Sequence, residues 1–341
     1  MDDIAAQHKN WFKGLDSLRF ILALIVLMSH FQSPYVFPLM ASASTSIKWF
    51  GYIVDKLFDG SAAVIAFFII SGFVIHYPNK NGIKDLKTFW IRRFVRIFVP
   101  LIIIYFVGIK FNHPDRTVVW SLICELFYYA VYPLLAKIKL SWLYKFIIAY
   151  VVAAILIIWR AHPDVISLFG PRDIKYHGYY WQLGIFLTWI VGLPVWLLGV
   201  LLAEHIDKLG PVSFTKLLLY RIVIILLSCF FSSAQAYMHV SFILTLNIFA
   251  LLIYKWLQAE IIYFKTREPN ALLEKMGKFS YSLYLCHPTI YVIMGFWLSN
   301  TFINYPIFII VSIAVSYLFY LAVEKPSHLL AIKLAKSVAK K

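Results

Sequence analysis

Residues 181–203 read WQLGIFLTWIVGLPVWLLGVLLA, a run of 23 residues without a single Asp, Glu, Lys, Arg or His. A helix that crosses the hydrocarbon of a bilayer needs roughly 20 mostly apolar residues, so this run is long enough to span. Runs of the same kind recur at about 14–33, 58–77, 94–110, 118–136, 143–159, 217–234, 239–257, 279–299 and 305–323, with Pro100 interrupting the third span near its start. The pattern predicts an all-α fold, a polytopic bundle of about ten transmembrane helices. It reads as one membrane-embedded domain over 1–341 with its core at 14–326 and no separate soluble domain.

Composition leads to the same place. Of the 341 residues 62% are hydrophobic and 14% charged, and the mean hydropathy is +0.77. Soluble domains carry about a quarter charged residues, so a soluble enzyme, a disordered tail and a disulfide-stapled secreted domain are excluded. The chain opens Met-Asp-Asp, and its first apolar run carries Arg19 and His30 without a small-residue cleavage site, which argues against a cleavable signal peptide. No internal repeat, Pro/Gly/Ser linker or low-complexity segment is visible. Cys124, Cys229 and Cys286 lie scattered within expected spans. They read as small buried hydrophobes rather than a disulfide framework or a metal site, and no metal is expected.

Charge supplies the topology. The formal net charge is +16, a value that would suit a nucleic-acid binder. With the N-terminus placed in the cytoplasm, however, 25 of the 32 Lys and Arg fall on the cytoplasmic side. Only Lys48, Lys56, Lys110, Arg116, Arg160, Arg172 and Lys175 fall outside. That asymmetry is the positive-inside signature of a multi-pass membrane protein. It puts both termini in the cytoplasm and needs no nucleic acid as partner.

Ionisable groups inside the hydrocarbon are costly, so each one is a functional candidate. Arg19 and His30 are eleven residues apart in the first span; on a helix they share a face to within about 20° and lie about 16 Å apart along the axis. Arg19 then sits near the cytoplasmic surface and His30 beyond the midplane. Glu125, in Trp120-Ser121-Leu122-Ile123-Cys124-Glu125, is expected at the depth of His30. There it either orients that imidazole, as a carboxylate can, or is held as a structural carboxyl by Tyr or Trp donors. Arg93 and Arg96, in the connection between the second and third spans, share a helix face at spacing three. They suit a bidentate phosphate clamp or an ordinary positive-inside anchor. Ser280, Tyr284 and His287 fall at helical spacing in the ninth span, just before Pro288; for His287 catalytic, ligand-lining and structural roles stay open. Ser71-Gly72-Phe73 and Glu324-Lys325-Pro326 read as close-packing and boundary devices. His162, Asp164, Arg172, Asp173 and His177, in the outer segment 160–180, are either an acceptor contact or a solvated loop.

With these residues in order, the chain resembles the membrane acyltransferase-3 family, integral membrane O-acyltransferases of bacterial surface glycans and related substrates. The resemblance runs from Leu15 to Pro326. It rests on Leu-Asp-Ser-Leu-Arg-Phe followed by His30, Phe-Phe-Ile-Ile-Ser-Gly-Phe, Arg93-Phe-Val-Arg96 with Pro100, Trp120-Ser-Leu with Glu125, Phe-Ser-Tyr-Ser-Leu-Tyr-Leu-Cys-His, and Glu-Lys-Pro. It implies transfer of an acyl group, commonly acetyl, from cytoplasmic acyl-CoA to a hydroxyl of a surface polysaccharide or its lipid-linked precursor. The setting would be the bacterial inner membrane, and no bound cofactor is involved. His30 would be the essential catalytic histidine, with Glu125 a second catalytic residue of less settled role; Arg19, an essential partner in the first span, would bind the donor together with Arg93 and Arg96. Many relatives carry a further outer hydrolase-like domain, which is not expected here. Either the bundle, alone or as a homo-oligomer, completes transfer or a separate acceptor-side protein does. His30 would act as a general base on the acceptor hydroxyl with Glu125 orienting it, or alternatively as a nucleophile forming an acyl-histidine. The alternative class is a transporter or exporter of a glycan or acylated small molecule, although the internal repeats many transporters show are not seen.

Overall fold

The computed structural model describes residues 12–31, 33–111, 118–167, 169 and 177–339. Lys9, Arg116, Arg172, Asp173, Lys175, Lys340 and Lys341, all used in the sequence reading, lie outside the described residues.

Among the described residues the chain is helical, with no strand. In chain order the helices are α1 (Leu15–His30), α2 (Val36–Met40), α3 (Thr45–Asp55), α4 (Gly60–His76), α5 (Leu86–Lys110), α6 (Val119–Lys137), α7 (Trp142–Arg160), α8 (His162–Ser167), α9 (Ile185–His205), α10 (Phe214–Met238), α11 (Phe242–Lys265), α12 (Ala271–Gly277), α13 (Ser280–Gly295), α14 (Asn304–Phe319) and α15 (Lys325–Ala339). Each of the ten expected spans is occupied by a helix. Seven helical segments are long and apolar enough to cross a membrane: Thr45–Asn79, Val119–Lys137, Trp142–Arg160, Ile185–Lys208, Phe214–Met238, Phe242–Lys265 and Asn304–Ala339. The expected spans outside that set are α1, α5 and α13, the helices that carry Arg19 and His30, Arg93 and Arg96, and Ser280, Tyr284 and His287.

Two local differences have physical causes. Helix α5 begins eight residues before the expected span, because the Asp85 side chain accepts the N–H groups of Lys87 and Thr88 at 3.1 and 3.2 Å, a helix N-cap. Arg92, Arg93 and Arg96 therefore belong to a continuous helix and not to a connection. The last span does not stop at Glu-Lys-Pro. Pro326 has no N–H to give, and a π-turn at Tyr320–Glu324, with the Lys325 N–H bonded to the Tyr320 carbonyl, lets the chain pass it and continue as α15. The segment 34–57, between the first two expected spans, holds α2 and α3.

Helices α4 and α9 form the axis of the bundle. Helix α4 packs on α1, α6, α9 and α11, and α9 also meets α6, α7 and α11. In lipid the hydrophobic effect does not drive helices together, so close van der Waals approach matters more. Here Gly72 and Gly199 supply it. A Cβ on Gly72 would collide with the Trp196 carbonyl, and one on Gly199 with the Ile69 carbonyl, so the two backbones touch. Buried side chains form two clusters. One surrounds α4, α6, α9 and α11, and the other joins α1, α13 and α14 through Phe20, Leu27, Leu283 and Phe308. Helix α1 contributes to both, and the polar residues follow the seam between them.

Candidate active site

Two cavities open along that seam. The first, of about 120 Å³, is lined by Arg19 from α1, Ser71 from α4, Arg93 and Arg96 from α5, Glu125 from α6, and Ser280 and Tyr284 from α13. Three guanidinium groups face one carboxylate, so the space attracts anions. Glu125 Oε1 accepts the Ser71 hydroxyl at 2.8 Å and the Tyr129 hydroxyl, and Trp196 Nε1 donates to Ser71 Oγ at 3.3 Å. Neither Arg93 nor Arg96 has a hydrogen-bond or ion-pair partner among the described residues, so both guanidinium groups are available to a ligand. Arg19 reaches Asp16 only at 3.7 Å. Behind this cavity Glu324 is buried and accepts the Ser282 amide and hydroxyl at 3.2 and 2.6 Å. The Glu-Lys-Pro segment is thus also a tie between α13 and the π-turn.

The second cavity, of about 680 Å³, opens at the C-terminal end of α1 and is lined by His30. Val64 and Tyr284 line both spaces, which makes the Tyr284 side chain part of the partition between them. Its hydroxyl lies 2.6 Å from Ser121 Oγ and donates to the Val118 carbonyl at 3.3 Å.

His30 meets a second imidazole. His30 Nδ1 lies 2.8 Å from the Val26 carbonyl and 3.3 Å from His287 Nε2, and His287 Nδ1 lies 3.1 Å from the Leu283 carbonyl. A carbonyl oxygen only accepts, so in the neutral rings both Nδ1 atoms carry the hydrogen; the assignment follows from these partners. His287 Nε2 then offers its lone pair to the His30 N–H. His30 Nε2 keeps its own lone pair free on a side chain exposed to the wide cavity. His287 is fully buried, which fixes its ring as a rest for that of His30.

The expected residues therefore separate into two groups. Arg19, Arg93, Arg96, Glu125 and Ser280 meet at the basic cavity, while His30 lines the wide one with the buried His287 packed against it, and Tyr284 borders both. Glu125 is not brought to His30: its contacts run to Ser71 and Tyr129, on α4 and its own helix, and no hydrogen bond or ion pair joins the two. In the outer segment, both Asp164 oxygens accept the His177 amide, at 3.0 and 3.1 Å, and one lies 3.1 Å from His177 Nδ1. That buried pair braces the loop leading to Tyr179, Tyr180 and Trp181, which line the wide cavity. Tyr129, four residues after Glu125 on the same helix, is the Tyr donor that holds this carboxylate. Ser282 and the buried role of Glu324 were not expected, and no local signal announces them. Among the described residues no group of three or more His, Cys, Asp and Glu could hold a metal ion.

The family model for an acyltransferase domain matches residues 12–321. The chain belongs to the membrane acyltransferase-3 family. It is an integral membrane acyltransferase, and the matched region contains both cavities and every helix through α14. No curated protein and no solved structure matches it.

Proposed function

We propose that this membrane acyltransferase transfers an acetyl group from cytoplasmic acetyl-CoA to a hydroxyl of a cell-surface polysaccharide or its lipid-linked precursor, in the inner membrane of a bacterium. The supporting observation is that one face of α1 presents Arg19 to a basic cavity and His30 to a wide one, with Tyr284 between them. The positive-inside distribution puts the basic cavity toward the cytoplasm, where Arg93 and Arg96 take the phosphates of the donor in charge-assisted hydrogen bonds. As it stands the basic cavity has room for a phosphate or a stretch of thin chain, so the nucleotide portion stays at its mouth while the acyl arm passes toward Tyr284. No other cofactor takes part. The acceptor occupies the wide cavity.

The chemistry follows from the free nitrogen of His30. Its Nε2 takes the proton of the acceptor hydroxyl as the oxygen attacks the thioester carbonyl. The C–S bond of the resulting tetrahedral species breaks, and the thiolate recovers that proton from the imidazolium to leave as the CoA thiol. His287 is a positioning residue, which accepts the Nδ1 hydrogen and holds the productive tautomer. Glu125, tied to Ser71 and Tyr129, balances part of the basic cavity's charge. Mass spectrometry of surface glycans tests the proposal. Cells with the wild-type chain carry acetyl esters that are missing with His30→Ala at equal protein abundance, whereas esters retained in that variant would overturn it.

A further inference from the structure

The wide cavity is bordered by a buried carboxylate to which the mechanism gives no task. Asp59 stands just before α4, and its Oδ1 accepts the amides of Ser61 and Ala62 at 2.9 and 3.1 Å, which caps the helix. Its other oxygen, Oδ2, is buried in the cavity wall without any partner, on a residue only 5% exposed. Lone buried carboxylate oxygens are rare because they forfeit water's hydrogen bonds. The neighbouring cation, Lys56, is bonded to Asp55 at 2.9 Å.

Two further features tie this oxygen to the chemistry. A Cβ at Gly60 would strike the Ser29 hydroxyl and reach Val26 Cα at 3.7 Å. Glycine there lets the first turn of α4 rest on the last turn of α1, the turn that carries His30. Across the same cavity Tyr180 stacks on Trp120, with ring centroids 6.0 Å apart, and its buried hydroxyl also has no partner. Tyr179 and Trp181, flanking it, expose their rings, and aromatic faces beside a few fixed polar atoms suit a ring that is apolar on its faces and hydroxylated at its edge.

We propose that Asp59 is an acceptor-binding residue: Oδ2 accepts a hydrogen bond from a second hydroxyl of the sugar ring whose acylated hydroxyl faces His30, and the Tyr180 hydroxyl bonds the same ring. An acceptor-only oxygen at that position selects a neutral, hydroxyl-bearing ring and rejects a carboxylate or phosphate there. This rests on reading the wide cavity as the acceptor side.

The test uses the full chain in proteoliposomes with radiolabelled acetyl-CoA and, as acceptor, surface glycan extracted from cells lacking the chain. Asp59→Asn keeps a capping oxygen while turning an acceptor into a donor. It is expected to raise the half-saturating glycan concentration at least about tenfold, as loss of a bond to a charged group does, with half-saturating acetyl-CoA unchanged. Tyr180→Phe removes a hydroxyl with no protein partner and is expected to raise the same constant about threefold, on the scale of one neutral hydrogen bond. An unchanged glycan constant in Asp59→Asn overturns the proposal, as does an equal rise in both constants; if that variant does not fold, an unchanged constant in Tyr180→Phe does so. A wild-type chain that labels no glycan overturns the acceptor reading itself.

Discussion

Helix α9 and the group α1, α5 and α13 solve opposite problems in one bundle. In α9 two-thirds of the spanning window is buried against other helices, and its contribution is shape, above all the contact between Gly199 and Gly72. Helices α1 and α13 are 16 residues each, a rise of about 24 Å against a hydrocarbon thickness of about 30 Å, and α5 carries three arginines. Charged groups thus concentrate on the helices least suited to lipid, where they face cavities and each other. Apolar helices hold the bundle; short or charged ones supply the arginines and histidines of the site, to which α4 and α6 add Ser71 and Glu125.

That division can be broken in order of effect. The largest expected loss is for the pair Arg93→Gln and Arg96→Gln, which should raise half-saturating acetyl-CoA by about 100-fold, two charge-assisted bonds together. Maximal rate at saturating donor and the glycan constant should stay close to wild type. A defect that appears only in the glycan constant would reverse the assignment of the two cavities. Next, His287→Ala should lower the maximal rate about tenfold through loss of one positioning hydrogen bond, while His287→Gln, which can still offer an oxygen to His30 Nδ1, should recover part of it. Glu125→Gln should shift the donor constant more than the rate. A rate loss in Glu125→Gln larger than that in His287→Ala would restore Glu125 as the partner of His30. The smallest effect on catalysis belongs to Gly199→Ala, which should cost about 1–3 kcal/mol of stability through overpacking, seen as a lower unfolding temperature in detergent, with the rate per folded molecule preserved.

What could be read in advance follows the same division. Apolar runs pointed to a helix at each of the ten expected positions, and for seven of the helical segments the length and hydropathy that a bilayer imposes are met outright. Arg19 and His30 were linked because both lie on one helix, where periodicity carries the information. His30 and His287, by contrast, are 257 residues apart in the chain and 3.3 Å apart in space, and no local pattern announces that meeting. Of the two readings open for Glu125, the structure shows the Tyr donor, Tyr129, and adds Ser71 from another helix: equal depth in the membrane does not decide which neighbour a side chain faces. The early start of α5 was legible in Asp85 as a cap but was masked by the density of basic residues after it. The passage of the chain through Pro326 depends on a π-turn that sequence punctuation does not reveal.

The proton taken by His30 is the central step of the reaction. A single turnover of radiolabelled acetyl-CoA with the wild-type chain and unacylated glycan is expected to move label to glycan with none held on the protein. His30→Gln is expected to lower that rate by about a thousandfold, in the range of general-base catalysis, while donor binding is retained. Protein-bound label that chases into glycan, or a wild-type rate in His30→Gln, would contradict it.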